Sequence, residues 1–198
     1  MVIRHAAKVP IESGIPFSDV PLSKEGIRDS DKFGNQLKVL GIGLSNICSS
    51  PLPRCLETGN HIAKAHGSNI EIETKEFLAY PGSFLIDKTF TLSPSGPEGR
   101  FGFSADGQDI FERHLSEGVM NVLDIVLAQP ACGMNISLTV THDAIVAPIA
   151  NYLTGERFEL QGNWIDFLDG FALFRIGNRW KILMHGKEWE ISPAFFQF

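Results

Sequence analysis

Short apolar runs of strand character give way, again and again along this chain, to segments with a helical period. That alternation constrains the fold more than any other feature. Residues 1–4 ("MVIR") read as a first strand. The segment 22–41 reads as a helix: Ser23 can cap it, Glu25 sits in its first turn, and Ile27, Phe33, Leu37 and Leu40 keep to one face. "LSNICSS" (44–50) is a short apolar strand. A second helix follows over 53–67, with Pro53 near its start and Gly67 past its end. "NIEIE" (69–73) alternates as a strand does. A long helix is expected over 106–129, and a strand over 135–142 in which Ile136, Leu138 and Val140 alternate. A helix over 143–155 ends at Gly155, and 170–186 reads as a hairpin turning at Gly177-Asn178. Strands alternating with helices predict an α/β fold, three-layered, with a mostly parallel central sheet flanked by helices.

With 198 residues, 43% of them hydrophobic, the chain can bury its core as one domain spanning 1–198. One stretch breaks the pattern. Residues 79–105 have neither period and combine glycines and prolines with Phe84, Phe90, Phe101 and Phe103. Loops of that length are usually functional or disordered, and the aromatics suit a packed lid over substrate, with plain core as the alternative.

Charged residues make up 20% of the chain and the formal net charge is -6, which argues against a nucleic-acid binder held by bulk charge. It leaves room for a local basic pocket. No apolar run approaches the roughly 18 residues that span a bilayer, and the first residues lack the apolar region of a signal peptide. Cys48, Cys55 and Cys132 form no CxxC pair and no metal-ligand spacing; an odd count fits a reducing, cytoplasmic setting. A first strand of about three residues is shorter than usual, which fits a chain trimmed at its start.

Chemistry gathers where strands end. Arg4-His5 follows the first strand, Arg54 stands at the entrance to the helix after the second, and His142-Asp143 follows "SLTVT" at another helix entrance. In open α/β sheets ligands bind beyond the carboxyl ends of the strands, where helix N-termini add oriented N–H groups. Guanidinium forks for phosphoryl oxygens and an imidazole able to attack phosphorus make a phosphate pocket. Each residue alone has a plainer reading. Arg4-His5 could be a surface pair, and Asp143 a helix cap. A cation in the first turn of a helix, as at Arg54, opposes the helix dipole unless an anion relieves it. His61, His66, His114 and His185 lack a partner motif and read as structural or exposed. "CSSPLPR" satisfies the C-x5-R formula of cysteine phosphatases, but Pro51 and Pro53 remove two N–H groups that such a loop needs, so Cys48 is expected to be buried and inert.

Taken together, "RHAAK", "PLSKEG", "SSPLPRCLETG" and "VTHD" resemble, in order and spacing, the histidine phosphatase superfamily, which includes phosphoglycerate mutases and histidine acid phosphatases. The resemblance runs from residue 2 to about the 170s, except for the 79–105 insert. It implies a phosphoglycerate mutase-like fold. It also implies a phosphomonoesterase in which His5 is the nucleophile that becomes phosphorylated, while Arg4, Arg54 and His142 hold phosphoryl oxygens. Lys8 stands where the acid-phosphatase branch has a second arginine, keeping the charge without the bidentate fork. Ala6 replaces the usual glycine. Mutase-like members place a glutamate after the third strand where this chain has Tyr80, in "FLAY"; acid-phosphatase members use the aspartate of a His-Asp pair. The donor is therefore assigned to Asp143, with Glu76 and Asp87 as substitutes. No metal and no cofactor are expected. The partner implied is a small phosphorylated substrate, not nucleic acid or membrane, with self-association left open. A mutase-type phosphotransferase and a non-catalytic phospho-ligand binder are the alternatives.

Overall fold

The computed structural model describes residues 1–10, 15–79, 108–128, 131–156 and 165–192, the side chains of 108–116 excepted. The strands are β1 (Val2–Arg4), β2 (Gly43–Ser49), β3 (Ile72–Thr74), β4 (Asn135–Thr141), β5 (Gly170–Ile176), β6 (Arg179–Met184) and β7 (Lys187–Ile191). The helices are α1 (Lys24–Val39), α2 (Pro53–His66), α3 (Gln108–Leu127) and α4 (Asp143–Thr154). The strands form one sheet in the order β3-β2-β4-β1-β5-β6-β7.

The sheet is mixed. β3, β2, β4 and β1 run parallel, joined by helical crossovers, whereas β5, β6 and β7 add on antiparallel. The parallel half is the one that carries the phosphate-type motifs. The antiparallel half contains the expected hairpin and one strand more. β7 turns back from β6 through His185 and Gly186, both at positive φ, and Asp169 holds His185 in that conformation through a 2.6 Å contact to Nε2. The insert expected to form a lid lies, but for Ala79, outside the described residues, as do Tyr80 and Asp87.

Successive strand residues face opposite layers, as period-2 alternation requires. Ile3, Ile47, Leu138 and Val140 pack with Leu37, Cys55 and Ile62 of α1 and α2 on one side. Val2, Cys48 and Phe171 pack with Val119, Leu123, Ile145 and Ile149 of α3 and α4 on the other. This makes the three layers. Ile3 and Ile47 are wholly or almost wholly buried, and truncating either to alanine would cost about 2–5 kcal/mol.

Helix ends follow local chemistry. The Ser23 hydroxyl accepts from the Gly26 N–H at 3.1 Å and caps α1. α2 begins with Pro53 and ends at Gly67, which takes φ 85°. Gly26 has a second duty. A Cβ there would lie 1.9 Å from the Ala7 carbonyl oxygen, so only glycine lets α1 press against the loop that follows β1. The Ser23 N–H and hydroxyl both donate to that same oxygen, at 2.9 and 3.1 Å.

Candidate active site

Register brings the motifs together. Arg4 pairs with Thr141 across β1 and β4, and Ser49 pairs with Val140 across β2 and β4. The residues just beyond these pairs, His5, His142 and Ser50, therefore emerge side by side at the carboxyl edge of the sheet. Two backbone bonds continue the ladder past the strands: His5 N–H to Thr141 O at 2.9 Å and Ser50 N–H to Val140 O at 3.0 Å. α2 and α4 start at this edge and point their N-termini toward it.

His5 is 3% exposed. Its Nδ1 lies 2.7 Å from the Ala6 carbonyl, which can only accept, so Nδ1 carries the proton and Nε2 carries the lone pair. Arg54 Nε donates to that lone pair at 3.2 Å. Burial, with the positive charges of Arg54 and Arg4 beside it, pushes the His5 pKa down to about 3 against the pull of the Ala6 bond and Asp143. The imidazole is thus a neutral base at ordinary pH.

Arg54 is fully buried. Besides His5 it donates from Nη1 to Phe17 O at 2.9 Å and makes a long 3.5 Å contact from Nη2 to His142 Nδ1. Burial pulls its pKa below the ordinary guanidinium value, against the opposing influence of Cys55 and Asp143. His142 turns Nε2 to the Ser50 hydroxyl at 3.0 Å. With Arg54 facing Nδ1, the proton belongs on Nε2. Burial, His5 and the two arginines lower the His142 pKa to about 2. The His5 and His142 rings meet edge to face, 5.3 Å apart.

Arg4 donates from Nη1 to the Ile165 carbonyl at 2.6 Å and pairs through Nη2 with Asp143 Oδ2 at 3.3 Å. Asp143 Oδ1 accepts from the Ala144 N–H at 3.0 Å, so this carboxylate both caps α4 locally and faces the cluster. Lys8 lies within electrostatic reach of Arg54, Arg4 and Asp143, and burial lowers its pKa. The structure therefore brings together Arg4, His5, Lys8, Arg54, His142 and Asp143 from three separate segments. Glu76 is exposed in the turn after β3. That turn is tied to the site because Thr141 Oγ1 donates to Leu78 O at 2.6 Å.

Cys48 lies inside β2, 1% exposed, with its thiol directed at Glu73, so the C-x5-R formula is a coincidence of spacing. His61 pairs with Asp31, His66 with the Ile42 carbonyl, and His185 with Asp169; the His114 side chain lies outside the described ones. Sequence reasoning missed four groups at the site. Ser50 orients His142. Thr58 Oγ1 donates to Arg54 O and accepts from the Ala6 N–H, linking the two key loops. Phe17 and Phe167 lie over the guanidinium groups of Arg54 and Arg4, at 4.5 and 4.3 Å. Ser50 and Thr58 flank Arg54 in one motif and offered a signal; the two phenylalanines stand in loops and offered none.

Residues 1–79 match the family model of the histidine phosphatase superfamily (branch 1). No curated protein sequence matches the chain. Among solved structures, it resembles a mycobacterial glucosyl-3-phosphoglycerate phosphatase in complex with VO3, with a TM-score of 0.59 at 13% identity over 96% of this chain and 98% of that one. It also resembles a phosphoserine phosphatase mutant from Entamoeba histolytica bound to phosphoserine (TM-score 0.56, 20% identity, 96% and 93% covered). A phosphoglycerate mutase from Bacillus anthracis is similar too (TM-score 0.53, 18% identity, 96% and 90% covered). The fold is phosphoglycerate mutase-like, and over residues 1–79 the sequence is similar to the histidine phosphatase superfamily. The matched residues hold the Arg4-His5 and Arg54 motifs; the His142-Asp143 pair, on which the acid-phosphatase comparison rests, lies beyond them.

Proposed function

We propose that this protein is a phosphomonoesterase that hydrolyses a phosphate ester through a phosphohistidine on His5, with Asp143 as proton donor. The observation that carries this reading is the state of His5: a buried, neutral imidazole whose Nε2 lone pair is held among Arg54, Arg4 and Lys8. A binding module has no use for an unprotonated Nε2 there.

The phosphoryl group enters between the cations. One of its oxygens takes over the Arg54 N–H that now meets Nε2, and the freed lone pair attacks phosphorus in line. The P–N bond forms as the bond to the leaving oxygen breaks. Charge spread over the equatorial oxygens is offset by Arg4, Arg54 and Lys8. His142 adds a contact once its proton shifts to Nδ1, the Ser50 hydroxyl turning to donate to Nε2, so that Nδ1 exchanges its long Arg54 partner for a phosphoryl oxygen. An anion at Arg4 competes with Asp143 Oδ2 for the same guanidinium edge, which loosens the 3.3 Å pair and leaves the carboxyl able to carry a proton. Asp143 gives that proton to the leaving oxygen. The resulting carboxylate then takes one from water, whose oxygen attacks phosphorus and returns the lone pair to Nε2. The reading assigns no metal because side chains supply the positive charge. It places the enzyme in the cytoplasm, where the three cysteines, none in a disulfide, stay reduced; among the described residues no helix is long and apolar enough to cross a membrane.

Rapid acid quenching during turnover should trap an acid-labile phosphoenzyme that His5→Ala does not form. An acid-stable phosphoserine, or activity lost to chelator and restored by a divalent ion, would overturn the assignment. A mutase-type phosphotransferase is the second reading. One observation favours it: the turn after β3, where mutase-like members carry their donor glutamate, is tied to Thr141 beside His142.

A further inference from the structure

Both guanidinium groups of the site are covered on one side by a phenylalanine, and both rings remain open to solvent. Phe17 lies over Arg54 at 4.5 Å and is 49% exposed. Phe167 lies over Arg4 at 4.3 Å and is 44% exposed. Phe167 also meets the His5 ring itself, centroid to centroid at 5.8 Å with the planes tilted by 41°. Arg54 touches His5 at 3.2 Å, so each ring stands no more than one side chain from the attacking nitrogen.

This placement has two effects. A ring laid on a guanidinium attracts it through the ring quadrupole and keeps water from that face. The N–H edges, which lie in the guanidinium plane, are left for hydrogen bonds: to Ile165 O and Asp143 for Arg4, and to Phe17 O, His5 and His142 for Arg54. The remaining surface of each ring is open, beside Arg54 for Phe17 and beside Arg4 and His5 for Phe167. A leaving group attached to a phosphoryl held on Arg4 and Arg54 therefore starts next to two exposed rings.

We propose that Phe17 and Phe167 select the leaving group, and that the preferred substrates are phosphate esters whose leaving group carries a ring. This rests on the phosphatase reading above. A small polar leaving group, such as a hydroxy acid or an amino acid, needs its own charged partners. The cations of the cluster are bonded to protein acceptors or, like Lys8, given to the phosphoryl group in the mechanism above. An aromatic body needs only the ring surfaces, and it gains from offset or edge-to-face contact with them.

Two phosphonates that cannot be hydrolysed test this directly: benzylphosphonate and methylphosphonate, titrated calorimetrically into the wild-type protein. Benzylphosphonate should bind about tenfold tighter, as two aromatic contacts of ordinary strength predict. Phe17→Leu and Phe167→Leu should each cut that ratio to about threefold, and the double variant should bring it near one. In turnover, benzyl phosphate should exceed ethyl phosphate in kcat/KM by a similar ratio, since both leave as alkoxides of alcohols. Equal binding of the two phosphonates by wild type, or a ratio that survives in the double variant, would overturn the proposal. If neither ester releases phosphate while the phosphonate ratio behaves as stated, the hydrolase reading fails and the ring selectivity stands. If both esters turn over at a ratio of one, the hydrolase reading stands and the ring selectivity fails. Should a variant not fold, the wild-type ratio decides alone.

Discussion

Arg54 Nε lies 3.2 Å from His5 Nε2, a buried cation donating to the lone pair that the proposed mechanism uses. The bond keeps the imidazole neutral and aimed. It also means that nucleophile and anion compete for one N–H. A phosphoryl oxygen, with its full negative charge, is the stronger acceptor, so in the proposed mechanism substrate binding itself releases His5.

Arg54→Lys should therefore lower kcat/KM by about 10²–10³, the size expected when an oriented donor to a charged transition state is lost. Lysine keeps the charge but cannot reach Phe17 O, His5 and His142 together. Steady-state kinetics on an aryl phosphate checks this, and a change below threefold would remove Arg54 from the mechanism.

The two imidazoles make the fold sensitive to acid. His5 and His142 titrate at about 3 and about 2 in the folded chain, through burial above all, against roughly 6.5 when unfolded. Below pH 6.5 the unfolded chain takes up protons that the folded chain refuses. Stability that is complete above 6.5 is thus lost progressively as pH falls toward those folded values. Each imidazole contributes a slope of about 1.4 kcal/mol per pH unit, so together they remove about 2.7. Urea denaturation between pH 8 and 5 should show this slope appearing below 6.5. His142→Asn should reduce it by about half, and a flat profile would contradict the burial of both rings.

Gly26→Ala tests how far α1 sets the site. The added methyl would meet the Ala7 backbone oxygen at 1.9 Å, and that oxygen is fixed by two bonds from Ser23. Either α1 or the His5–Lys8 loop must shift. We expect a loss of about 1–3 kcal/mol together with weaker orthophosphate binding, since Lys8 and His5 move with the loop. Unchanged affinity in a destabilised variant would separate the helix from the pocket.

Much of this could be read in the sequence because strand ends and helix starts carry local signals. Arg4-His5, Arg54 and His142-Asp143 each close a strand or open a helix, and a parallel sheet has one carboxyl edge to put them on. β7 was not legible: its turn rests on His185 at positive φ, held by Asp169 from before β5, and no local pattern announces a partner 16 residues away. Ser50 and Thr58 stood inside a motif whose charged member drew the attention. Phe17 and Phe167 were invisible because a phenylalanine in a loop has the same local signature whether it packs inward or covers an arginine. That distinction depends on Ile165 O holding Arg4 and Phe17 O holding Arg54, contacts between residues 161 and 37 positions apart.

In the proposed mechanism, Asp143 decides which pattern of proton donation the chemistry follows. Its carboxylate stands 3.3 Å from Arg4 and caps α4 through Ala144, so it has a structural task whether or not it moves protons. The two roles separate by leaving group. An alkoxide needs the proton, whereas an activated phenolate hardly does. Asp143→Asn keeps the shape and the bond from Ala144, and it should lower turnover of alkyl phosphates by about 10²–10⁴. Phosphoenzyme formation from p-nitrophenyl phosphate should suffer far less. Orthophosphate should bind as well or better, because Arg4 loses a competing anion. If Asp143→Asn instead matches wild type on alkyl phosphates while Glu76→Gln or Asp87→Asn carries the defect, the donor comes from the segment after β3. Thr141 ties the start of that segment beside His142 through Leu78 O, at 2.6 Å, and the protein would then follow the mutase-like pattern despite its His-Asp pair.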